Sequence, residues 1–126
     1  AGLVIGEAGR HPVIGALAGP PLHAVDDNVA ALLAQAGVAN EGYELLDASR
    51  GGFARFDKEL AHFMYTAERD GGVPLDPIYT AKTMMALRLY VERGYVAAGT
   101  RVLFVHTGGL QGRRAAESQL HKLIHG

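Results

Sequence analysis

The chain has 126 residues, with 12 basic and 13 acidic side chains, so its formal net charge is −1. This charge excludes the broad basic face that nucleic-acid binding uses, and the length allows one hydrophobic core but not two. The chain contains no cysteine, which excludes disulfides, thiolate catalysis and cysteine-based zinc sites. No apolar run is long enough to span a membrane. We therefore expect a single cytoplasmic domain without nucleic-acid or membrane partners.

The first half of the chain alternates between short apolar runs and helical periodicity. The β-branched run 12–17 predicts a strand, and residues 43–46 predict a second one. Between them, Asp26 or Asp27 is the expected N-cap of a helix that ends at Gly37. The apolar side of that helix consists of Val29, Leu32, Leu33 and Ala36.

The second half predicts three helices and a strand. Asp57 is the expected N-cap of a helix closed by residues 71–72, and Thr80 that of a helix over 81–93. The inward positions of these two helices are Leu60, Phe63, Met64, Ala67, Met84, Leu87 and Val91. Residues 101–106 form the clearest strand pattern in the chain, and 113–124 the last helix.

This order of elements predicts the fold class. Continuous hydrophobic strands that alternate with amphipathic helices indicate an α/β fold with a mostly parallel sheet covered on both faces, in three layers. We find no repeat, charge block or linker, so residues 1–126 are interpreted as one α/β segment. Ligands of such sheets bind beyond the carboxyl ends of the strands.

Two stretches follow from that rule, and each also has a purely structural interpretation. Residues 106–112 (HTGGLQG) directly follow the best strand pattern, and residues 76–82 (DPIYTAK) begin a helix. Judged by its residue pattern alone, 106–112 is more often a plain turn. Residues 76–82 can likewise be a turn set by proline, with a capping Thr and a solvated Lys. His121 and His125 share a helix face, but no third ligand is indicated, so no metal site is assigned.

At the same stretches the sequence resembles a known family. Residues 75–82 and 102–112, at their spacing, together with Gly51-Gly52-Phe53 and the helix after it, look like the D-cysteine desulfhydrase / 1-aminocyclopropane-1-carboxylate deaminase family. That resemblance implies a pyridoxal 5'-phosphate (PLP) enzyme of fold type II, with the tryptophan synthase β-subunit fold. It covers only the C-terminal part of the PLP-binding domain of such longer enzymes. The resemblance implies that the N-terminal portion of the enzyme is a partner of this segment and would hold the Schiff-base lysine and the phosphate loop.

The resemblance also implies roles for individual residues. Tyr79 would be catalytic, lying beside substrate and cofactor, while Thr80 would face the pyridine nitrogen and Thr107 the same ring edge. The turn of Gly108 and Gly109 would complete the cofactor contact. Phe53 would contact the substrate, at a position where the family usually has Tyr. No lysine of this chain is assigned as catalytic, since Lys82 resembles a family lysine with another role.

The resulting expectation is a segment of a PLP-dependent lyase or deaminase that acts on a small amino acid, as a homodimer, and is inactive alone. Thr80 stands where the deaminases carry Glu, and a hydroxyl keeps the ring nitrogen less protonated than a carboxylate does, which favours desulfhydrase-like elimination. Two alternatives stay open. One is a non-catalytic binding module for an anionic ligand at the Gly108-Gly109 turn, and the other is an inactive orphan fragment.

Overall fold

The computed structural model describes residues 1–19 and 21–126. Within these ranges the elements are α1 (Gly2–Glu7), β1 (Val13–Leu17), α2 (Leu22–Gln35), β2 (Tyr43–Asp47), α3 (Lys58–Gly71), α4 (Thr80–Glu92) and α5 (Leu110–His125). None of the helices in the described ranges has the length and apolar character needed to cross a membrane.

The sheet consists of β1 and β2, which pair in parallel with Val13 opposite Tyr43 and Leu17 opposite Asp47. A parallel pair needs a crossover connection, and α2 supplies it. Helix α2 packs against β2, and α4 packs against β1. The strands predicted at 12–17 and 43–46 and the parallel α/β arrangement are therefore confirmed.

The hydrophobic core lies among α3, α4 and α5 rather than on the sheet. Its buried members are Leu60, Ala61, Met64, Leu75, Ala81, Met85 and Leu120. Each large side chain in this cluster contributes about 1.5–3 kcal/mol of transfer free energy. The predicted inward face of α3 is confirmed, since Leu60 and Met64 are fully buried and Phe63 packs against the cluster.

The predicted strand at residues 101–106 is wrong. Residues 101–109 form neither helix nor strand, and Leu103 is 87% exposed. A strand needs the hydrogen bonds of a neighbour, and within the described ranges β1 and β2 pair only with each other. The apolar run gives a strand tendency, but the run itself does not provide a partner.

Two helix starts also differ from the prediction. Helix α2 begins at Leu22 after Pro21, so Asp26 and Asp27 lie inside the helix instead of capping it. The fixed φ of proline favours an earlier start, which the capping rule for Asp overlooks. Helix α5 begins at Leu110, three residues before the expected position, directly after Gly109 with its positive φ of 93°.

The buried faces of α2 and α4 are narrower than the apolar pattern indicates. Leu33 is fully buried in α2, whereas Leu32 and Ala36 are exposed. In α4, Val91 was expected to point inward and is exposed, because the last turn of the helix lies beyond the core.

The segment that leads into α4 is held by a half-buried ion pair. The Arg113 guanidinium on α5 binds the Glu68 carboxylate on α3 and also donates to the Leu75 carbonyl oxygen at 2.9 Å. Glu68 in turn accepts from the Leu75 N–H at 2.6 Å. Both polar groups of the Leu75 backbone are thus satisfied by side chains of α3 and α5, which fixes the start of the next turn.

Helix α3 provides a test of local stability and its pH dependence. The Asp57 carboxylate accepts from the Leu60 N–H at 2.8 Å, and this bond, together with Arg50, holds the pKa of Asp57 below its usual value. We expect Asp57→Ala to lower the free energy of unfolding by about 1 kcal/mol at pH 7. Because the pKa of Asp57 is lower in the folded chain than in the unfolded chain, its ionised form stabilises the fold above a pH of about 4. This contribution is lost as the pH falls through the folded-state pKa.

Urea unfolding of the wild type and the variant at pH 7 and at pH 2 measures this difference. Asp27→Ala, in an exposed position of α2, is the matched control and should change little at either pH. An Asp57→Ala cost that is the same at both pH values would contradict the capping role of the ionised carboxylate.

Candidate functional site

The turn before α4 is organised around the buried carboxylate of Asp76. Its Oδ2 accepts from the Ile78 N–H at 2.9 Å and from the Tyr79 N–H at 2.8 Å. Its Oδ1 accepts from the Thr80 N–H and from the Thr80 hydroxyl, both at 2.8 Å. Pro77 has no N–H and a fixed φ, so the carboxylate reaches past it to the next three residues. The turn is locked by one side chain.

Thr80 has a different role from the one predicted. It is the first residue of α4 instead of its N-cap, and Asp76 satisfies the helix start in its place. The Thr80 side chain is buried, donating its hydroxyl hydrogen to Asp76 Oδ1 and accepting from the Asp76 N–H at 2.7 Å. Placement of this hydroxyl against a cofactor ring stays a prediction.

Tyr79 is held through its backbone and presents its ring outward. Its N–H is bound by Asp76, and its carbonyl oxygen accepts from the Thr83 N–H and hydroxyl, both at 2.9 Å. The side chain is 45% exposed, and its ring centroid lies 5.8 Å from that of Phe53 at an interplanar angle of 59°. The structure therefore brings together the predicted catalytic and substrate-contacting residues.

Phe53 lies on the loop of residues 49–55 that follows β2, which we call the Phe53 loop. Its ring also approaches the backbone after β1, where a Cβ added to Gly19 would lie 3.0 Å from Phe53 Cδ2. The aromatic pair thus stands beyond the carboxyl ends of both parallel strands, where ligands of α/β folds bind. A cleft of about 220 Å³ also lies at the carboxyl ends of the strands, lined by Leu17, Gly19, Pro21, Leu22, Asp47 and Ser49, and neither ring of the aromatic pair lines it.

The Gly108-Gly109 turn docks on the same locked turn. A methyl group on Gly109 would come within 2.5 Å of Asp76 Oδ1, so only glycine fits there. His106 accepts from the Gly108 N–H through Nδ1, which assigns the hydrogen to Nε2, and Nε2 contacts the Pro74 carbonyl oxygen at 2.9 Å. Thr107 is exposed, and its hydroxyl makes no hydrogen bond within the described ranges.

Lys82 is a residue whose environment the sequence did not reveal. The side chain is 1% exposed, and its Nζ donates to the carbonyl oxygens of Ser49 at 2.7 Å and Gly52 at 2.9 Å. Burial, followed by the positive charge of Arg50, lowers the pKa of Lys82. The helical pattern predicts Met84, Leu87 and Val91 as the inward face of α4, which does not include Lys82. The alternative interpretation of Lys82 as a solvated lysine is therefore wrong.

The remaining candidate residues lie away from this cluster. The rings of His121 and His125 stack with centroids 4.6 Å apart near the end of α5. Within residues 1–19 and 21–126, no group of three His, Cys, Asp or Glu side chains is placed to hold a metal ion.

The lock at Asp76 can be tested by substitution. Asp76→Ala would leave three buried or half-buried N–H groups without their acceptor, so we expect unfolding to become easier by about 2–4 kcal/mol. Asp76→Asn keeps one acceptor oxygen and should cost less. Urea unfolding followed by circular dichroism measures both, and Asp70→Ala, on the exposed end of α3, should change stability by less than about 0.5 kcal/mol. Equal costs for Asp76→Ala and Asp70→Ala would contradict the lock.

Comparisons with known proteins agree with the motif-based prediction. No protein-family profile matches the chain. Proteins named "Putative 1-aminocyclopropane-1-carboxylate deaminase" from Pyrococcus furiosus and Pyrococcus horikoshii are 36% and 35% identical to it, in each case over 69 residues, or 55% of the chain. The crystal structure of an ACC deaminase homologue superposes on 88% of the chain with a TM-score of 0.79 and 28% identity.

These matches cover only part of the other proteins. The chain spans about a fifth of the length of the curated relatives, 20% and 21%, and 35% of the solved chain. Within that span sequence and fold point to the same proteins. The resemblance to the 1-aminocyclopropane-1-carboxylate deaminase family, predicted from residues 75–82 and 102–112, is thereby confirmed, and with it the α/β fold of that family.

Proposed function

We propose that this chain supplies one wall of the substrate and cofactor site of a PLP-dependent lyase or deaminase that acts on a small amino acid. The observation that carries the proposal is the aromatic pair of Tyr79 and Phe53, fixed beyond the carboxyl ends of two parallel strands. The similarity to proteins named as ACC deaminases supplies the reaction class. Because the chain spans a fifth of those relatives, the activity is proposed for a protein that contains the whole site.

In this proposal Tyr79 orients the substrate. Its backbone is bound at the N–H by Asp76 and at the carbonyl by Thr83, so the point from which the side chain projects is fixed, and the ring packs against Phe53. The exposed hydroxyl is free to hold or pass a proton beside the substrate, and the ring provides a flat apolar surface. Phe53, which has no hydroxyl, adds only an apolar wall, so Tyr79 contributes the polar group of the pair.

The described residues fit one edge of a PLP ring. Bound PLP supplies an electron sink that stabilises negative charge at the substrate α-carbon. Thr107 offers an exposed hydroxyl and Gly108 a backbone with open space beside it, whereas Gly109 packs against Asp76 and the buried Thr80 hydroxyl is bound to the same residue. None of the lysines is placed to form a Schiff base with the PLP aldehyde. The Lys82 amine is bound to two carbonyl oxygens, and Lys58 and Lys122 are exposed on other helices.

The finer proposal is a desulfhydrase-like elimination. The neutral hydroxyl of Thr80 brings no negative charge to the ring nitrogen. An unprotonated ring nitrogen only accepts, so in this proposal the one hydrogen of Thr80, which Asp76 accepts in the structure, turns to the ring when the cofactor is bound. A less protonated ring is a weaker electron sink, which suffices for removal of an α-proton with loss of a good leaving group such as the sulfur of a thiol amino acid. The resemblance to D-cysteine desulfhydrases adds a substrate class, a small thiol amino acid, and ring-opening deamination is the alternative within the same reaction class.

The alternative of an anion-binding module has less support. The Gly108-Gly109 turn packs against the carboxylate of Asp76, and a negative group beside the turn opposes a second anion. The cytoplasmic location, the homodimer and the N-terminal portion of the enzyme stay predictions from the sequence.

Titration of the ¹⁵N-labelled chain with PLP, followed by NMR, tests the proposal. We expect shifts at Tyr79, Thr80 and residues 107–109, and about the same affinity for pyridoxal, since these residues hold the ring and not the phosphate. Tyr79→Ala should weaken binding by about threefold to tenfold through loss of an aromatic surface. Tyr95→Ala, in an exposed loop after α4, is the matched control and should bind like the wild type.

Shifts confined to residues outside this cluster, or equal effects of the two tyrosine variants, would contradict the assignment. The absorbance spectrum gives an independent check on the lysines. We expect no near-visible Schiff-base band when PLP is added to this chain, and a band that Lys82→Met abolishes would show that Lys82 is the missing catalytic lysine.

A further inference from the structure

We propose that Lys82 is the positioning residue that sets the distance between Phe53 and Tyr79, and so the width of the substrate space beside them. That the space beside the rings takes a substrate rests on the proposed function, whereas the positioning of the rings by Lys82 does not. It begins from an unusual placement, since Lys82 is the largest side chain that the fold buries completely, and a lysine is rarely buried without a partner.

The partners of Lys82 belong to the Phe53 loop. The Nζ atom binds the carbonyl oxygens of Ser49 and Gly52, thirty or more positions earlier in the chain. Gly52 directly precedes Phe53, and Lys82 follows Tyr79 by three positions at the start of the same helix. The Lys82 ammonium therefore links the backbone beside Phe53 to the helix that follows Tyr79. The two ring centroids lie 5.8 Å apart on either side of this link.

The Phe53 loop needs such an anchor because its backbone is unfavourable. Arg50 and Ala54 have φ values of 48° and 58°, in the left-handed region, and each costs about 1–2 kcal/mol relative to ordinary backbone. Gly51 and Gly52 also have positive φ values and resist no change of shape. Phe53 itself is 58% exposed, so its own burial contributes little to holding the loop. Within the loop, the Gly52 N–H donates to the Ser49 carbonyl oxygen at 3.2 Å and the Arg55 N–H to the Gly52 carbonyl oxygen at 3.4 Å, the same two oxygens that Lys82 binds. These long internal bonds leave a role for contacts from outside the loop.

A second anchor exists at the base of the loop, and it is weaker. The Arg50 guanidinium donates to Asp57 at 2.9 Å and to Glu59 at 2.6 Å, but both carboxylates are more than half exposed. Exposed ion pairs of this kind contribute little. Lys82, by contrast, acts in a buried setting where Asp47, Asp57 and Asp76 offset the cost of its charge. The ring separation therefore depends mainly on Lys82.

The test uses the free chain and two variants of the same position. Lys82→Met keeps the apolar length and removes the donors. Lys82→Cys introduces a single cysteine into a chain that has none, and alkylation with 2-bromoethylamine in urea, followed by refolding, restores an ammonium at nearly the original length. Lys122→Met, on an exposed position of α5, is the control for loss of a lysine.

Nuclear Overhauser contacts between the two rings, and amide exchange of residues 50–54, are the measurements. We expect the ring contacts to vanish in Lys82→Met and in unmodified Lys82→Cys, with exchange in the loop faster by about tenfold, as for loss of a charged hydrogen bond. Aminoethylation of the cysteine should restore both, and Lys122→Met should resemble the wild type. Ring contacts that persist in folded Lys82→Met would overturn the proposal.

A wild-type measurement covers the case in which the variants do not fold. The Lys82 ammonium should give a slowly exchanging ¹⁵N signal, and an ammonium that exchanges as fast as that of Lys122 would also overturn the proposal. None of these readouts needs a ligand. A confirmed link together with an absence of PLP-induced shifts would contradict the proposed function alone, which keeps the two failures distinguishable.

Discussion

The buried carboxylate of Asp76 is the constraint on which the rest of the site depends. It binds three successive backbone N–H groups and the Thr80 hydroxyl, so it determines where α4 begins and which way Tyr79 points. It also leaves room for Gly109 alone, which places the turn before α5 against the turn before α4. A carboxylate with this many donors is stable in a buried place because each hydrogen bond replaces a contact with water.

Further polar contacts hold the chain on either side of this carboxylate. Arg113 and Glu68 fix the backbone of Leu75 immediately upstream, and His106 binds Pro74. Downstream, α4 carries Lys82 to the carbonyl oxygens of the Phe53 loop. The site is thus assembled from three distant stretches of chain by polar groups that act on backbone, while the apolar core of α3, α4 and α5 holds the helices at the right distance.

The sequence predicts most of this fold where the determinants are local. The β-branched run before Leu17 becomes β1, and Asp57 caps α3, because strand preference and capping act within a few residues. Residues 101–106 show the limit, since a strand depends on a partner that an apolar pattern does not specify. The motifs located Tyr79, Phe53 and Gly109, but the burial of Lys82 depends on carbonyl oxygens of a loop some thirty residues away, which no local pattern contains.

The residues that hold Tyr79 and Phe53 all lie within a chain that spans a fifth of the length of its relatives. Within the described residues, Asp76 and Thr83 bind the backbone of Tyr79, Lys82 binds the carbonyl oxygen that precedes Phe53, and Gly19 lies against the Phe53 ring. The aromatic wall is therefore organised in advance of any second wall that faces it. In the proposed enzyme, a half-site organised in this way spends little binding energy on ordering itself, so the ring spacing within this segment contributes to substrate specificity there. In the same proposal, none of the three lysines of this chain forms the Schiff base, so that group comes from another part of the enzyme.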